Sequence, residues 1–370
     1  MSPSSPGIRR ALPTALAVAC LLWVVSGSAR AHEQYVVDGA QDVSVREFFS
    51  AVLSDPLSVG LLVGGAVTVG LVIVTYLLVQ PFEADVTAFR LAMREYAEYV
   101  PWLLRISIGI PLIGAGFSGY FISPAVQVEL RLLQVFLGFM LLFGLATRVV
   151  AVATFAVYAV GAVIYPDLLL QLEVAAGSAV IAMIGSGKPS ADHVLYRLSE
   201  ARGTVYGRVD FVHEWARDQQ SKFQHLEQYA PTVGRVGLGL GFIFLGVSEK
   251  MLSPGLGLEV VDHYDLTSVI PVSPELWVFG AGLTEIALGT LLVFGAFTRA
   301  GATTAILMFT LTLFALPDDP VLAHVGLYGL ASMLIITGSG PYAVDRHLTT
   351  VLNDWKHQFQ ERRTTASGDD

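Results

Sequence analysis

Along the chain, apolar stretches of about 20 residues alternate with short polar connections, and almost no charge falls inside the stretches. A helix rises about 1.5 Å per residue and the hydrocarbon layer is about 30 Å thick, so each stretch is long enough to cross a bilayer. The pattern predicts nine spans, near 57–80, 102–121, 130–146, 149–165, 170–187, 232–252, 276–297, 300–316 and 321–338. Between the first two, residues 82–100 interleave apolar positions with Arg90, Arg94 and Glu95, the pattern of an amphipathic helix lying on the membrane surface. Ahead of them all, Arg9 and Arg10 precede an apolar run from Ala11 to Val25 and the small-residue ending Ala29-Arg30-Ala31, which predicts a signal peptide over 1–31.

The later spans fall into two matching sets. LLRISIGIPLIGAGFSGYFISP (103–124) aligns without gaps to VGRVGLGLGFIFLGVSEKMLSP (233–254), setting Arg105 on Arg235, Gly109 on Gly239 and Gly116 on Gly246. GFMLLFGLATR then matches GTLLVFGAFTR, pairing Arg148 with Arg299, and the last spans end in GSGKPSAD and GSGPYAVD, pairing Asp192 with Asp345. This order of motifs predicts a tandem duplication. With four spans per unit the copies share one orientation, as parallel repeats do. The expected architecture is an all-α integral membrane protein of two tandem parallel four-helix bundles plus one extra N-terminal transmembrane helix. Its parts are an N-terminal segment (32–100), a first repeat (101–187), a linker (188–231), a second repeat (232–346) and a tail (347–370).

Composition sharpens the picture. The chain is 54% hydrophobic and 14% charged, too little polar surface for a water-soluble globule of 370 residues. A formal net charge of -9 argues against nucleic acid as a partner. The single cysteine, Cys20, lies in the leader, which excludes disulfide, iron–sulfur and CxxC chemistry in the core, and no metal site is expected. Placing the mature N-terminus outside puts Arg90, Arg94, Arg148, Arg299, the linker and the C-terminal tail in the cytoplasm, where positive charge accumulates in a multi-pass protein of the cell membrane.

The second repeat carries Arg235 followed by G-V-S-E-K ending at Lys250, then E-I-A-L-G from Glu285 and G-A-F-T-R ending at Arg299, and finally G-S-G-P-Y-A-V-D-R with Tyr342, Asp345 and Arg346. These motifs resemble the DoxX-like family of four-helix membrane proteins, which includes the DoxD-type small subunit of thiosulfate:quinone oxidoreductase. The resemblance implies a membrane subunit associated with quinone-linked electron transfer, handling quinone or anchoring a separate soluble or peripheral redox subunit. Quinone is then the implied ligand, with no covalently bound cofactor. Enzymatic activity and a homo-oligomer are left open.

Ionisable groups inside a bilayer cost a few kcal/mol each unless paired or hydrated, so those retained are candidates for function. Glu285, expected about 13 Å into its helix, stands near the midplane. Glu249, Lys250 and His324 are expected near the outer end of the second repeat, and Asp262, His263 and Asp265 in a long outer loop over 253–275. Lys250, Glu285 and His324 have the chemistry to hold quinone carbonyl oxygens and move protons, with Glu249 and His263 as further ligand contacts. The same set suits a proton-coupled transporter of small solutes, and a buried Glu–Lys pair that fixes helix register needs no ligand at all. At the cytoplasmic ends, Arg235, Arg299 and Tyr342 read as bundle-closing residues that pair with Asp345, or as a docking surface for a partner. A non-catalytic membrane scaffold is the third reading. The first repeat has Gly119, Tyr120 and Gln134 where the second has Glu249, Lys250 and Glu285, and so reads as chemically silent.

Overall fold

A computed structural model describes Val37 and residues 39–127, 130–201 and 223–347. The expected signal peptide, linker residues 202–222 and the tail beyond His347 lie outside the described residues. Among the described residues all regular structure is helical apart from one isolated bridge between Phe121 and Ser123.

Helix α1 (Val45–Ser54) is started by a capping box in which the Ser44 hydroxyl accepts from the Glu47 N–H and the Glu47 carboxylate accepts from the Ser44 N–H. Asp55 then caps α2 (Pro56–Val79), whose first residue is proline, the one position in a helix where the missing N–H costs nothing. Along α2 nearly every side chain is both apolar and exposed. A helix that is hydrophobic all round, with no protein to cover it, has lipid as its solvent.

The amphipathic stretch forms α3 (Glu83–Glu95), which runs through a 3-10 turn at Tyr96–Tyr99 into α4 (Val100–Phe117). Then come α5 (Arg131–Phe143), α6 (Thr147–Ile164), a 3-10 turn at Pro166–Gln171 and α7 (Leu172–Ile184). The linker begins with α8 (Ala191–Glu200), capped by Ser190. The second half follows with α9 (Ala230–Leu245), a π-helical turn at Gly246–Met251, α10 (Pro254–His263), the short α11 (Leu266–Val269), α12 (Pro274–Phe294), α13 (Thr298–Ala315) and α14 (Val321–Thr337). Among the described residues seven helical stretches are long and apolar enough to cross a membrane, and α5 and α14 are shorter apolar helices at two further expected spans. The expected span 130–146 ends early because Gly144 takes φ +68° and closes α5.

The expected outer loop 253–275 is largely helical. Pro254 opens α10, and Gln41 N–H donates to Gly255 O, so the N-terminal segment lies across it. Phe48 and Phe49 pack on Phe279 of α12 at ring-centroid distances of 6.0 and 5.5 Å, which builds a second apolar cluster with Met251, Leu256 and Val261 over that end of the bundle.

In each half the first helix packs most closely on the second, α4 on α5 and α9 on α12, and the third on the fourth, α6 on α7 and α13 on α14. The halves are joined reciprocally, α4 against α14 and α9 against α7. The closest backbone approaches correspond too. A Cβ on Gly109 would lie 2.9 Å from Gly138 O, and one on Gly239 would lie 2.6 Å from Gly289 O. Small residues permit such contact, and in lipid close packing is a main source of helix association.

Candidate functional site

One end of the bundle gathers the arginines. Arg235, 1% exposed, donates through Nε to Ser339 O at 2.9 Å, through Nη2 to Tyr342 O at 2.7 Å and through Nη1 to Leu292 O at 3.1 Å and to Val293 O. Arg299 donates to Ile335 O at 2.8 Å and Ile336 O at 3.2 Å. These guanidinium groups hold helix ends together, in keeping with the reading of Arg235 and Arg299 as bundle-closing residues, and Asp345 lies near enough to act on both electrostatically. Asp345 also accepts from the N–H groups of Phe297 (2.6 Å) and Thr298 (3.0 Å) at the start of α13. Asp192 does the same for Ala146 (2.7 Å) and Thr147 (3.0 Å) at the start of α6. Arg148 finds Glu227 at 3.4 Å and lies over the Phe223 ring. Tyr342 is 77% exposed and stacks on Tyr229, centroids 6.0 Å apart.

Each aspartate places negative charge on the positive end of a helix and satisfies two N–H groups that have no partner within it. Asp345→Ala and Asp192→Ala are each expected to lower stability by about 1–2 kcal/mol. Thermal unfolding in nanodiscs checks this, and unchanged midpoints would show the caps to be idle.

At the opposite end, the π turn presents Glu249 and Lys250 toward α12. Glu249 Oε2 lies 3.7 Å from Lys250 Nζ, and their side chains are 2% and 15% exposed. The contact is close because both surfaces carry glycine. A Cβ on Gly282 would meet Lys250 Cβ at 2.7 Å, and one on Gly246 would meet Glu285 Cβ at 3.2 Å. Gly282 and Glu285 are three residues apart and share a face of α12, so Lys250 and Glu285 occupy one seam about a turn apart. π turns are rare and recur at functional sites, because the extra residue redirects side chains that a regular helix would aim elsewhere.

His324 stands on another helix. It sits on α14 with Nε2 3.5 Å from Asp319 Oδ2 and Nδ1 3.3 Å from Pro320 O, and its ring meets Phe309. Its helix α14 packs on α4, α13 and α9, and α9 runs into the π turn that carries Lys250. His263 is exposed at the end of α10 with its ring against Tyr264. The Tyr264 hydroxyl donates to Asp318 at 2.9 Å, and partial burial followed by that carboxylate pushes the phenol up to about 12.

The first half keeps a buried ionisable group of its own. Glu173, 6% exposed near the start of α7, lines a cavity of about 30 Å³ with Ser107, Tyr120, Gln171 and Gly326. Gln134 of the first half, by contrast, serves its own loop, donating to Leu112 O at 2.9 Å and accepting from the Ile122 N–H at 2.8 Å. Sequence reasoning passed over Glu173 inside an apolar run. The signal was there, since it is a lone carboxyl in a predicted span.

Helices too apolar for water, joined by close glycine contacts and closed by buried arginines, define an all-α multi-pass membrane protein. Residues 230–318 match the DoxX family model, so the second half carries a DoxX-like domain that holds Arg235, Glu249, Lys250, Glu285 and Arg299. No curated protein and no solved structure shows significant similarity to the chain.

Proposed function

We propose that this chain is a DoxX-like membrane subunit linked to quinone electron transfer, with its ligand site at Glu249, Lys250 and Glu285. The observation that carries the reading is the π turn, which holds a buried acid and a lysine against a second acid midway along α12. The donor set fits a quinone head group. An ammonium offers N–H donors to a carbonyl oxygen, and a carboxyl can give or take the accompanying proton. The bound quinone would supply the redox chemistry, while the chain's own residues orient it and manage protons. Electrons would come from a separate soluble or peripheral subunit, for which the arginine end, read as cytoplasmic, is the docking face. The corresponding Arg, Asp and Gly contacts of the two halves support descent from one duplicated four-helix unit.

The test is quinone content after purification in mild detergent. Glu285→Gln and Lys250→Met are each expected to reduce bound quinone about tenfold, equivalent to ~1.4 kcal/mol, without changing the elution profile. Quinone retained in both variants would remove the site from this seam. Solute flux in vesicles, abolished by Glu285→Gln while no quinone binds, would establish the proton-coupled transporter instead.

A further inference from the structure

Glu173 presents a separate problem of charge. It lies where α4, α7 and α14 meet, at the seam joining the two halves, and a Cβ on Gly326 of α14 would come 2.8 Å from its Cγ. Among the described residues it forms no ion pair. A carboxylate buried without a counter-charge costs several kcal/mol, so it must hold a proton or a cation.

The cavity beside it narrows the choice. About 30 Å³ admits one or two waters, since one needs roughly 10–15 Å³. That volume is too small for a quinone head group or an organic solute. Gln171, 5% exposed on the turn before α7, lines the same cavity and its Oε1 has no hydrogen-bond donor. A buried amide oxygen without a donor is costly, and a water in the cavity would relieve it. Tyr120, Ile122 and Pro124, each only partly buried, line the cavity from the loop end of the bundle.

The groups around Glu173 leave the proton to it. On α4 the cavity meets Ser107, whose hydroxyl donates to Leu104 O at 3.1 Å, and Arg105 is engaged at the far end by Pro189 O. On α6 the Tyr158 hydroxyl donates to Leu168 O at 2.7 Å. On α14 His324 is paired with Asp319. Asp167 stands earlier on the 3-10 turn, Tyr120 lies in the loop, and α9 brings only Arg235, at the arginine end.

We infer that Glu173 and Gln171 form a hydrated proton-binding site in the seam between the halves, reached from the loop end. Glu173 takes up one proton from solvent water as its carboxylate becomes a carboxylic acid, and one or two waters link that acid to Gln171 Oε1. The site is independent of the quinone reading, because no residue is shared with Glu249, Lys250 and Glu285.

Infrared difference spectroscopy of the full chain in nanodiscs tests it. A carbonyl band of a protonated carboxylic acid should be present in the wild type, lost in Glu173→Gln and retained in Glu285→Gln, and it should shift on transfer to D2O. If Glu173→Gln fails to fold, Gln171→Leu carries the test, and its band must move as the bridging water loses an acceptor. A spectrum unaltered by either variant overturns the inference, as does a band that ignores D2O. Loss of the band on adding sodium chloride at fixed pH would make the occupant a sodium ion and overturn the proton assignment.

Discussion

Replacing Arg235 with methionine is expected to cost on the order of 3–5 kcal/mol, enough to remove most folded protein from a membrane extract. The side chain is 1% exposed and its nitrogens satisfy four backbone carbonyls, two at the end of α12 and two in the segment after α14. Methionine fills a similar volume but donates to none of those oxygens, of which Leu292 O alone keeps a backbone donor in the Gly295 N–H. Lysine should rescue little, because one ammonium cannot reproduce the spread of a planar guanidinium. Arg105 is the control at the corresponding position. It is equally buried, yet its Nη2 reaches only Pro189 O, while Nε and Nη1 have no hydrogen-bond partner. Arg105→Met should therefore cost less, about 1–2 kcal/mol. Thermal unfolding and the monodisperse fraction in detergent decide the matter, and equal losses at the two sites would show that burial of the chain, not bracing of carbonyls, sets the stability.

That contrast shows what was legible in the sequence. The spans were readable because a helix in lipid has almost no freedom to carry charge, so the polar breaks mark its ends. The corresponding arginines and aspartates were visible as well, but their partners were not. Opposite charges in matching motifs suggest ion pairs, but they do not show that the arginines also brace carbonyls and the aspartates also cap helix N-termini. Both choices satisfy backbone groups at helix ends, and helix ends depend on residues distant in sequence. The π turn left no mark either. G-V-S-E-K contains no proline, and its extra residue is accommodated by the glycine surface of α12. Glu173 was hidden by averaging: one carboxyl among apolar neighbours barely changes the hydrophobicity of a span, yet it dominates the local electrostatics.

The glycine seams yield the other large expected effect. A Cβ on Gly289 would stand 2.4 Å from Gly239 O and 2.9 Å from the Ile243 nitrogen, both backbone atoms with no rotamer to escape through. Gly289→Val must push α9 and α12 apart along their whole contact, and that contact also carries Lys250 and Glu285. In water a separated helix pair would still be held by its apolar surface. In lipid the tails cover that surface as well as the partner helix does, so lost packing is not recovered. The expected cost reaches the upper end of the ~1–3 kcal/mol typical of overpacking, or beyond. Gly280→Val on the same helix is the control, since nothing lies within 4 Å of its Cβ position and valine is a better helix former than glycine. Gly138→Val should match Gly289→Val, because its Cβ would stand 2.8 Å from Gly109 O. Unfolding midpoints that fall for Gly138 and Gly289 but hold for Gly280 would make backbone contact the main bond within each half. A Gly289→Val protein as stable as the wild type would mean that α9 and α12 are held by something else.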